Sequence, residues 1–151
     1  MKFIGIEPES GRLQLASVGV EFHAIGHEGS SLESELVAHT LPESERHIRA
    51  TFDAKPPEPG EEHAAHCAWH TNGVHEAHTI NSGRGIFQIQ AGKDCITVIG
   101  EAGDLFINRG AEHRYRPLTS QQLRLRHTGA TDGEFGYVDT GRSPTPWPDL
   151  S

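Results

Sequence analysis

The histidines of this chain carry its strongest chemical signal. Eleven of the 151 residues are histidine, and they are concentrated rather than spread evenly. Five of them lie between positions 63 and 78: His63, His66, His70, His75 and His78. Imidazole is the commonest protein ligand of divalent transition metals. This density therefore predicts a metal site, against the alternative of solvated or hydrogen-bonded histidines.

A second signal lies further along the chain, in residues 103–115. There a Gly-Asp turn, the apolar run 105–107 and a second turn at Arg109-Gly110 precede His113. This order predicts a β-hairpin whose returning strand begins at His113 and directs that imidazole inward. His113 is therefore expected to meet the upstream histidines at one site.

The composition favours strands and turns over a helical bundle. Seventeen Gly and nine Pro separate short apolar runs, which is typical of all-β sandwiches and barrels. Strands are predicted at five of these runs, 86–89, 95–99, 105–107, 123–125 and 135–138. One or two further strands are expected within residues 1–30.

The region between these strands has a different pattern. Leu32, Leu36 and Val37 have helical spacing, which predicts a short helix over residues 31–39 with Ser30 or Ser31 as its N-cap. Residues 43–52 fit a helix or a strand, and the period does not decide between them. The prolines of residues 55–60 require a loop, after which residues 61–69 could begin as a helix. The Pro-rich tail, 142–150, is expected to lie extended over the barrel.

The charge balance bounds the classes of partner. A net charge of -8 without a basic stripe argues against binding to nucleic acid. No apolar run approaches 18 residues and no signal-peptide pattern follows Met1, so we expect no membrane span and a cytoplasmic location. Cys67 and Cys95 are too few for a disulfide framework and are expected to be free thiols.

Residues 103–115, Gly-Asp-Leu-Phe-Ile-Asn-Arg-Gly-Ala-Glu-His-Arg-Tyr, resemble the second conserved motif of the cupins. Residues 123–126, residues 132–141 and the ending Trp-Pro-Asp-Leu are similar to the C-terminal part of acireductone dioxygenases. The resemblance implies a single-domain cupin over residues 1–151, a double-stranded β-helix barrel with short N-terminal helices. In this division residues 1–60 form the N-terminal strands and short helices, residues 61–141 the barrel core with the metal site, and residues 142–151 the tail.

The chain departs from the cupin pattern at two places. Asn108 stands where the family has proline. The first motif, His-x-His followed by a glutamate, is not intact in the register that places His78 at the first imidazole, because Ile80 and Arg84 then fill the other two positions. If residues 81–85 are an insertion, His75 or Glu76 together with His78 supplies the missing ligands. A regular strand puts Glu76 and His78 on one face, whereas His75 and His78 share a face only across a bulge.

A metal centre of this kind needs three or four nitrogen and oxygen donors with one position left open for substrate or dioxygen. The predicted ligands are His75, His78 and His113, with Glu76 as the carboxylate and His70 as an additional imidazole. His63, His66 and His70 have the spacing of one helical face, for which a surface patch is the simpler account. Iron is the first choice of metal, with nickel, cobalt, copper and zinc as alternatives.

The resemblance implies a metal-dependent oxygenase of dioxygenase type, acting on a small enediol or keto acid. Arg84 and Arg126 are predicted to bind an anionic substrate through their guanidinium groups, and Tyr115 to donate a proton. Arg124 and Arg126 alternate with leucines, so they share a face that is either the substrate side or the solvent side. The alternatives are a redox-neutral metal cupin, that is an isomerase, lyase or hydrolase, and a non-catalytic module that binds a metal or ligand. Pairing of two copies through residues 1–25 into a homodimer is a further expectation.

Overall fold

The computed structural model describes residues 1–42, 47–48, 51–58, 67–129, 131, 136–143 and 145–150. Fourteen elements follow one another in these ranges, two helices and twelve strands. The strands are β1 Lys2–Ile4, β2 Val20–Ala24, β3 His47–Ile48, β4 Phe52–Ala54, β5 His70–Thr71, β6 Glu76–Ser82, β7 Arg84–Ala91, β8 Asp94–Glu101, β9 Asp104–Asn108, β10 His113–Pro117, β11 Gln121–His127 and β12 Val138–Asp139.

The two helices precede the main strands. Helix α2, Ser31–Thr40, confirms the predicted helix, and Ser30 is its cap because the Ser30 hydroxyl accepts a hydrogen bond from the Glu33 backbone N–H at 3.1 Å. The one or two strands expected within residues 1–30 are confirmed by β1 and β2, and helix α1, Pro8–Ala16, lies between them. Leu13 is 73% exposed and Leu15 is buried, because they lie on opposite faces of this helix, which begins at a proline.

The strands form two antiparallel sheets of six strands each. Sheet I has the order β1-β8-β7-β10-β5-β12, and sheet II has the order β2-β9-β6-β11-β3, with β4 also paired to β11. This arrangement confirms the expected all-β fold. The described strands pair within two separate sheets rather than around one closed barrel, which corrects that detail of the prediction.

The hydrophobic core lies between the two sheets. Its centre is a cluster of three phenylalanines, Phe22, Phe87 and Phe106, whose ring centroids are 4.8 to 5.3 Å apart. All three rings are buried, and burial of each such side chain contributes about 1.5–3 kcal/mol. The strands that carry these rings therefore hold the two sheets together.

The predicted hairpin over residues 103–115 is wrong. Strand β9 pairs with β2 and β6 in sheet II, whereas β10 pairs with β7 and β5 in sheet I. The turn between them crosses from one sheet to the other, and the Asn108 side chain closes it by accepting a hydrogen bond from the Ala111 N–H at 2.8 Å. The inward direction of His113 is nevertheless correct, because its side chain lines the space between the sheets.

The other strand predictions agree with the structure where it describes them. The runs 86–89, 95–99, 105–107 and 123–125 lie in β7, β8, β9 and β11. Of the run 135–138 only residue 138 is in a strand, and residue 135 lies outside the described residues, as do 43–46, 49–50 and 59–66, including His63 and His66. The described part of the predicted loop, 55–58, has no helix or strand, and neither has 145–150 in the tail.

Within the described ranges no helix has the length and apolar character needed to cross a membrane.

Candidate functional site

A cavity of about 520 Å³ opens between the two sheets. Most of its wall is apolar or aromatic, formed by Phe52, Ala54, Phe87, Phe106, Tyr115, Leu123, Leu125 and Tyr137. Its polar wall residues are Asp53, Lys55, His70, Asn72, Glu76, His78 and His113. A cavity of this size with a few grouped polar side chains has the general character of a small-molecule site.

Four of the polar side chains come from three strands. Glu76 and His78 alternate along β6 and therefore point to the same side of sheet II. His113 opens β10, where it lies opposite His70 of β5 in the antiparallel pairing. Polar side chains from both sheets therefore line one cavity.

The imidazoles of His70 and His113 are anchored in the same way. The Nδ1 atom of His70 lies 2.7 Å from the carbonyl oxygen of Ala68, and Nδ1 of His113 lies 2.9 Å from that of Ala111. Nδ1 of His113 has a second neighbour, the side-chain nitrogen of Asn108 at 3.0 Å. A carbonyl only accepts hydrogen bonds, so the contact of His70 with Ala68 favours the tautomer that has the proton on Nδ1 and the lone pair on Nε2. This is the tautomer that a metal ligand needs when it coordinates through Nε2.

Glu76 is the acidic residue between the imidazoles of His113 and His78. Its side chain is almost fully buried, with Oε1 3.4 Å from His113 Nε2 and Oε2 3.3 Å from His78 Nε2. The amide nitrogens of Asn72 and Asn108 also approach it, each at 3.4 Å. Burial opposes ionisation, but the neighbouring histidines outweigh it and lower the pKa of Glu76 from 4.5 to about 2.

Burial also shifts the pKa of two further wall residues, His70 and Tyr115. It lowers the pKa of His70, and His113, whose ring centroid is 4.3 Å from that of His70, adds to the effect. A lowered pKa keeps the His70 imidazole neutral and able to coordinate at lower pH. Burial raises the pKa of Tyr115, so its hydroxyl stays protonated.

The donor set fits a divalent transition metal. Two imidazoles and one ionised, buried carboxylate are the ligand types of non-haem iron sites, and His78 offers a further nitrogen. In the described part of the chain no three such side chains converge closely enough to coordinate one ion as they stand. Coordination would therefore draw His70, Glu76 and His113 closer together.

The structure does not bring His75 to the cavity. It is exposed, it lies in a surface depression beside His39 and Arg109, and its backbone N–H donates to the Thr128 hydroxyl at 3.1 Å. The strand β6 begins regularly at Glu76 without a bulge between the two residues, so His75 faces away from the side that Glu76 occupies. This corrects the first-choice ligand set.

The two predicted substrate arginines also lie elsewhere. Arg84 is exposed at the start of β7, in a surface depression that includes Glu101 and Leu118. Arg126 faces the side of β11 opposite Leu123 and Leu125, and its Nη2 atom is 3.8 Å from Oε1 of Glu33 in helix α2. Tyr115 does line the cavity, where its hydroxyl donates to the Gln121 side-chain oxygen.

The sequence interpretation underrated His70 and missed Asn72. The spacing His70-x-Asn72, then Glu76 and Gly83, follows the His-x-His-and-glutamate order of the first cupin motif with asparagine in the second position. The register that places His78 at the first imidazole does not contain this order. The signal that could have identified it is the placement of His70 and Asn72 on one face of an extended segment.

Comparisons with known proteins agree with this fold. The chain matches no protein-family model and no curated protein significantly. Among solved structures it is similar to acireductone dioxygenase from Bacillus anthracis with a cadmium ion in its active centre, at 17% identity and a TM-score of 0.58 over 91% of this chain and 95% of that one. It also aligns with the oxalate decarboxylase formate complex of Lactobacillus farciminis at 12% identity and a TM-score of 0.45, over 60% of this chain and 25% of that one. The first likeness shows that the protein has a cupin fold of the kind found in acireductone dioxygenase.

Proposed function

We propose that the protein is a metal-dependent cupin enzyme of dioxygenase type, acting on a small enediol or keto acid. His70, Glu76 and His113 hold the metal in this proposal, and His78 is an additional donor. The observation that carries it is the buried, ionised Glu76, which lies between imidazoles from both sheets at the wall of a mostly apolar cavity. The cadmium ion in the active centre of the similar acireductone dioxygenase supports a divalent metal in this protein.

The chain's own residues have distinct roles in this account. Glu76 supplies the negative charge that a divalent cation needs, and the carbonyls of Ala68 and Ala111 orient the two imidazoles. The bound metal would supply Lewis acidity and a template for substrate and dioxygen. The aromatic wall around Phe87 and Phe106 places an apolar surface beside the reacting groups. Iron is the proposed metal, with nickel, cobalt, copper or zinc as alternatives.

The cavity wall also indicates the class of substrate. Because the wall is mostly apolar, it suits a substrate that has two chelating oxygens at one end and an apolar part that packs against Phe52 and Leu123. Among the wall residues that the structure describes, Lys55 is the one lysine or arginine. We therefore propose that Lys55, rather than Arg84 or Arg126, contacts an anionic substrate.

A redox-neutral reaction is the second candidate, and one contact favours it. His78 Nε2 lies 3.3 Å from Glu76 Oε2 at the cavity, with 18% of the His78 side chain exposed. An imidazole beside a carboxylate can move a proton on a bound substrate, as an isomerase or lyase requires. Dioxygen consumption separates the two candidates.

The test is oxygen uptake by the iron-loaded protein with a series of small enediols and keto acids. The proposal predicts substrate-dependent uptake that His113→Ala abolishes and His75→Ala leaves unchanged, because only His113 lines the cavity. Conversion of the same compounds without oxygen uptake would support the redox-neutral reaction instead. Oxygen uptake that persists in His113→Ala would contradict the role of His113 and the location of the site in this cavity.

A further inference from the structure

The C-terminal residues 137–143 and 145–147, which we call the C-terminal strap, run along the edge of sheet I. Strand β12 pairs with β5, with Asp139 opposite His70. The next residue, Thr140, donates its backbone N–H to the carbonyl oxygen of Trp69 at 3.0 Å. The short strand that carries His70 is therefore held on one side by β10 and on the other by the strap.

Thr140 also contacts the segment that carries His113. Its hydroxyl oxygen lies 2.6 Å from Oε2 of Glu112, the residue before His113. Arg142 binds the same carboxylate at both oxygens, at 2.8 and 3.0 Å. Thr140 therefore contacts the residue before each of the two histidines, namely Trp69 before His70 and Glu112 before His113.

Arg114 fastens the strap to the outer face of sheet I. It follows His113 on β10 and points away from the cavity, where its side chain is almost fully buried. Its guanidinium donates to the Gln88 side-chain oxygen at 2.7 Å and to the Thr145 carbonyl at 2.8 Å. It also lies over the rings of Trp147 and Trp69, at 3.9 and 5.2 Å from their centroids.

These contacts act on the atoms that orient the imidazoles. The Nδ1 acceptors of His70 and His113 are the carbonyls of Ala68 and Ala111, each two residues before its histidine. The strap holds Trp69 by its backbone and Glu112 by its carboxylate, and each of these residues lies between a histidine and the carbonyl beside its Nδ1. The Tyr137 ring stacks on the His70 ring as well, with centroids 4.8 Å apart and planes 27° apart.

We propose that the C-terminal strap positions the imidazoles of His70 and His113, with Thr140 and Arg114 as positioning residues. The inference rests on the proposed function, since it concerns the same metal ligands. Groups that orient ligands in this way typically affect metal affinity by 10–100-fold when they are removed. The strap is therefore part of the site although most of it lies outside the cavity.

The test measures Co²⁺ affinity of the full chain by competition with a chelator, without reference to activity. Thr140→Val keeps the shape of the side chain and removes its hydroxyl, whereas Thr140→Ser retains the hydroxyl. We expect about tenfold weaker binding in Thr140→Val and binding close to wild type in Thr140→Ser. Arg142→Gln should also weaken binding, and Arg124→Gln, which breaks the separate ion pair with Glu28, should not.

Tryptophan fluorescence provides a second readout. The chain has two tryptophans, and both flank Arg114. Their emission therefore reports whether the strap packs against Arg114. Arg114→Met should shift the emission to longer wavelength and weaken Co²⁺ binding together. If Arg114→Met does not fold, Thr140→Val decides the question, because its backbone hydrogen bond to Trp69 is retained.

The outcomes separate the two claims. Wild-type protein that binds Co²⁺, with Thr140→Val folded and binding equally well, would overturn the positioning role and leave the metal site in place. A lower melting temperature in Thr140→Val without weaker binding would likewise show that the strap is only structural. Wild-type protein that binds no Co²⁺ would overturn the metal site and, with it, the role of the strap.

Discussion

The Oε1 atom of Glu76 lies 3.4 Å from the Nε2 atom of His113 although the two residues belong to different sheets. Glu76 begins β6 in sheet II, and His113 begins β10 in sheet I. Their contact forms at the edge of the cavity, where the turn after Asn108 carries the chain from one sheet to the other. A site built in this way depends on the packing of the two sheets and on that turn.

The metal-free protein should lose stability as Glu76 takes up a proton. The folded state lowers the pKa of Glu76 from 4.5 to about 2, so its ionised form contributes stability that is fully present above pH 4.5 and is lost as pH falls toward 2. Urea unfolding across this range should show a steeper decline for wild type than for Glu76→Gln. Parallel pH curves for the two proteins would contradict the assigned charge.

Asn108 should matter both for the fold and for the site. It is completely buried, its side-chain oxygen accepts from the Ala111 N–H, and its side-chain nitrogen lies 3.0 Å from His113 Nδ1. Asn108→Leu leaves the Ala111 N–H without its partner and should lower the free energy of unfolding by about 1–3 kcal/mol. Chemical denaturation measures this cost. Asn81→Leu is the control, because Asn81 bonds Glu28 at the surface, and an equal loss there would remove any special role for Asn108.

Arg126 should act on stability and not on substrate binding. It lies near Glu33, whose carboxylate also accepts from the Gly29 N–H and the Thr79 hydroxyl and ties helix α2 to β6. Arg126→Gln should lower the free energy of unfolding by about 1 kcal/mol and leave the KM for substrate unchanged. Arg84→Gln, at an exposed position, should change neither. A raised KM in Arg126→Gln would restore the substrate role predicted from the sequence.

The turn between β6 and β7 should tolerate no side chain at Gly83. Gly83 has φ +73°, and a Cβ there would lie 2.1 Å from the Ser120 carbonyl oxygen. Gly83→Ala should cost about 3–5 kcal/mol, the sum of conformational strain and backbone displacement. Gly92, with φ +63° and open space around it, provides the comparison and should cost about 1–2 kcal/mol when changed to alanine. Thermal unfolding of the two variants measures the difference, and equal losses would contradict the close contact.

Local patterns predicted the elements that depend on neighbouring residues. The capping of α2 by Ser30, the four apolar runs in β7, β8, β9 and β11, and the shared face of Glu76 and His78 follow from spacing along the chain. These features need no knowledge of the tertiary structure.

The features that depend on distant pairing could not be predicted in this way. Strand β5 has two residues, and its pairing with β10 and β12 places His70 at the cavity. The local spacing of His70 and Asn72 indicates only that they share a face. The turn after Asn108 had the residues of a hairpin, but pairing of β9 with β2 and β6 assigned the two strands to different sheets. His75 has the residue type of a metal ligand, but the regular start of β6 at Glu76 directs it away from the cavity.

The most direct test of the metal site is the metal content of the untagged protein, measured by plasma mass spectrometry. The account predicts near-stoichiometric iron or another divalent transition metal in wild type and in His75→Ala, and its loss in His70→Ala and His113→Ala. A folded wild-type protein without metal after reconstitution, or a metal retained in both His70→Ala and His113→Ala, would contradict the proposed centre.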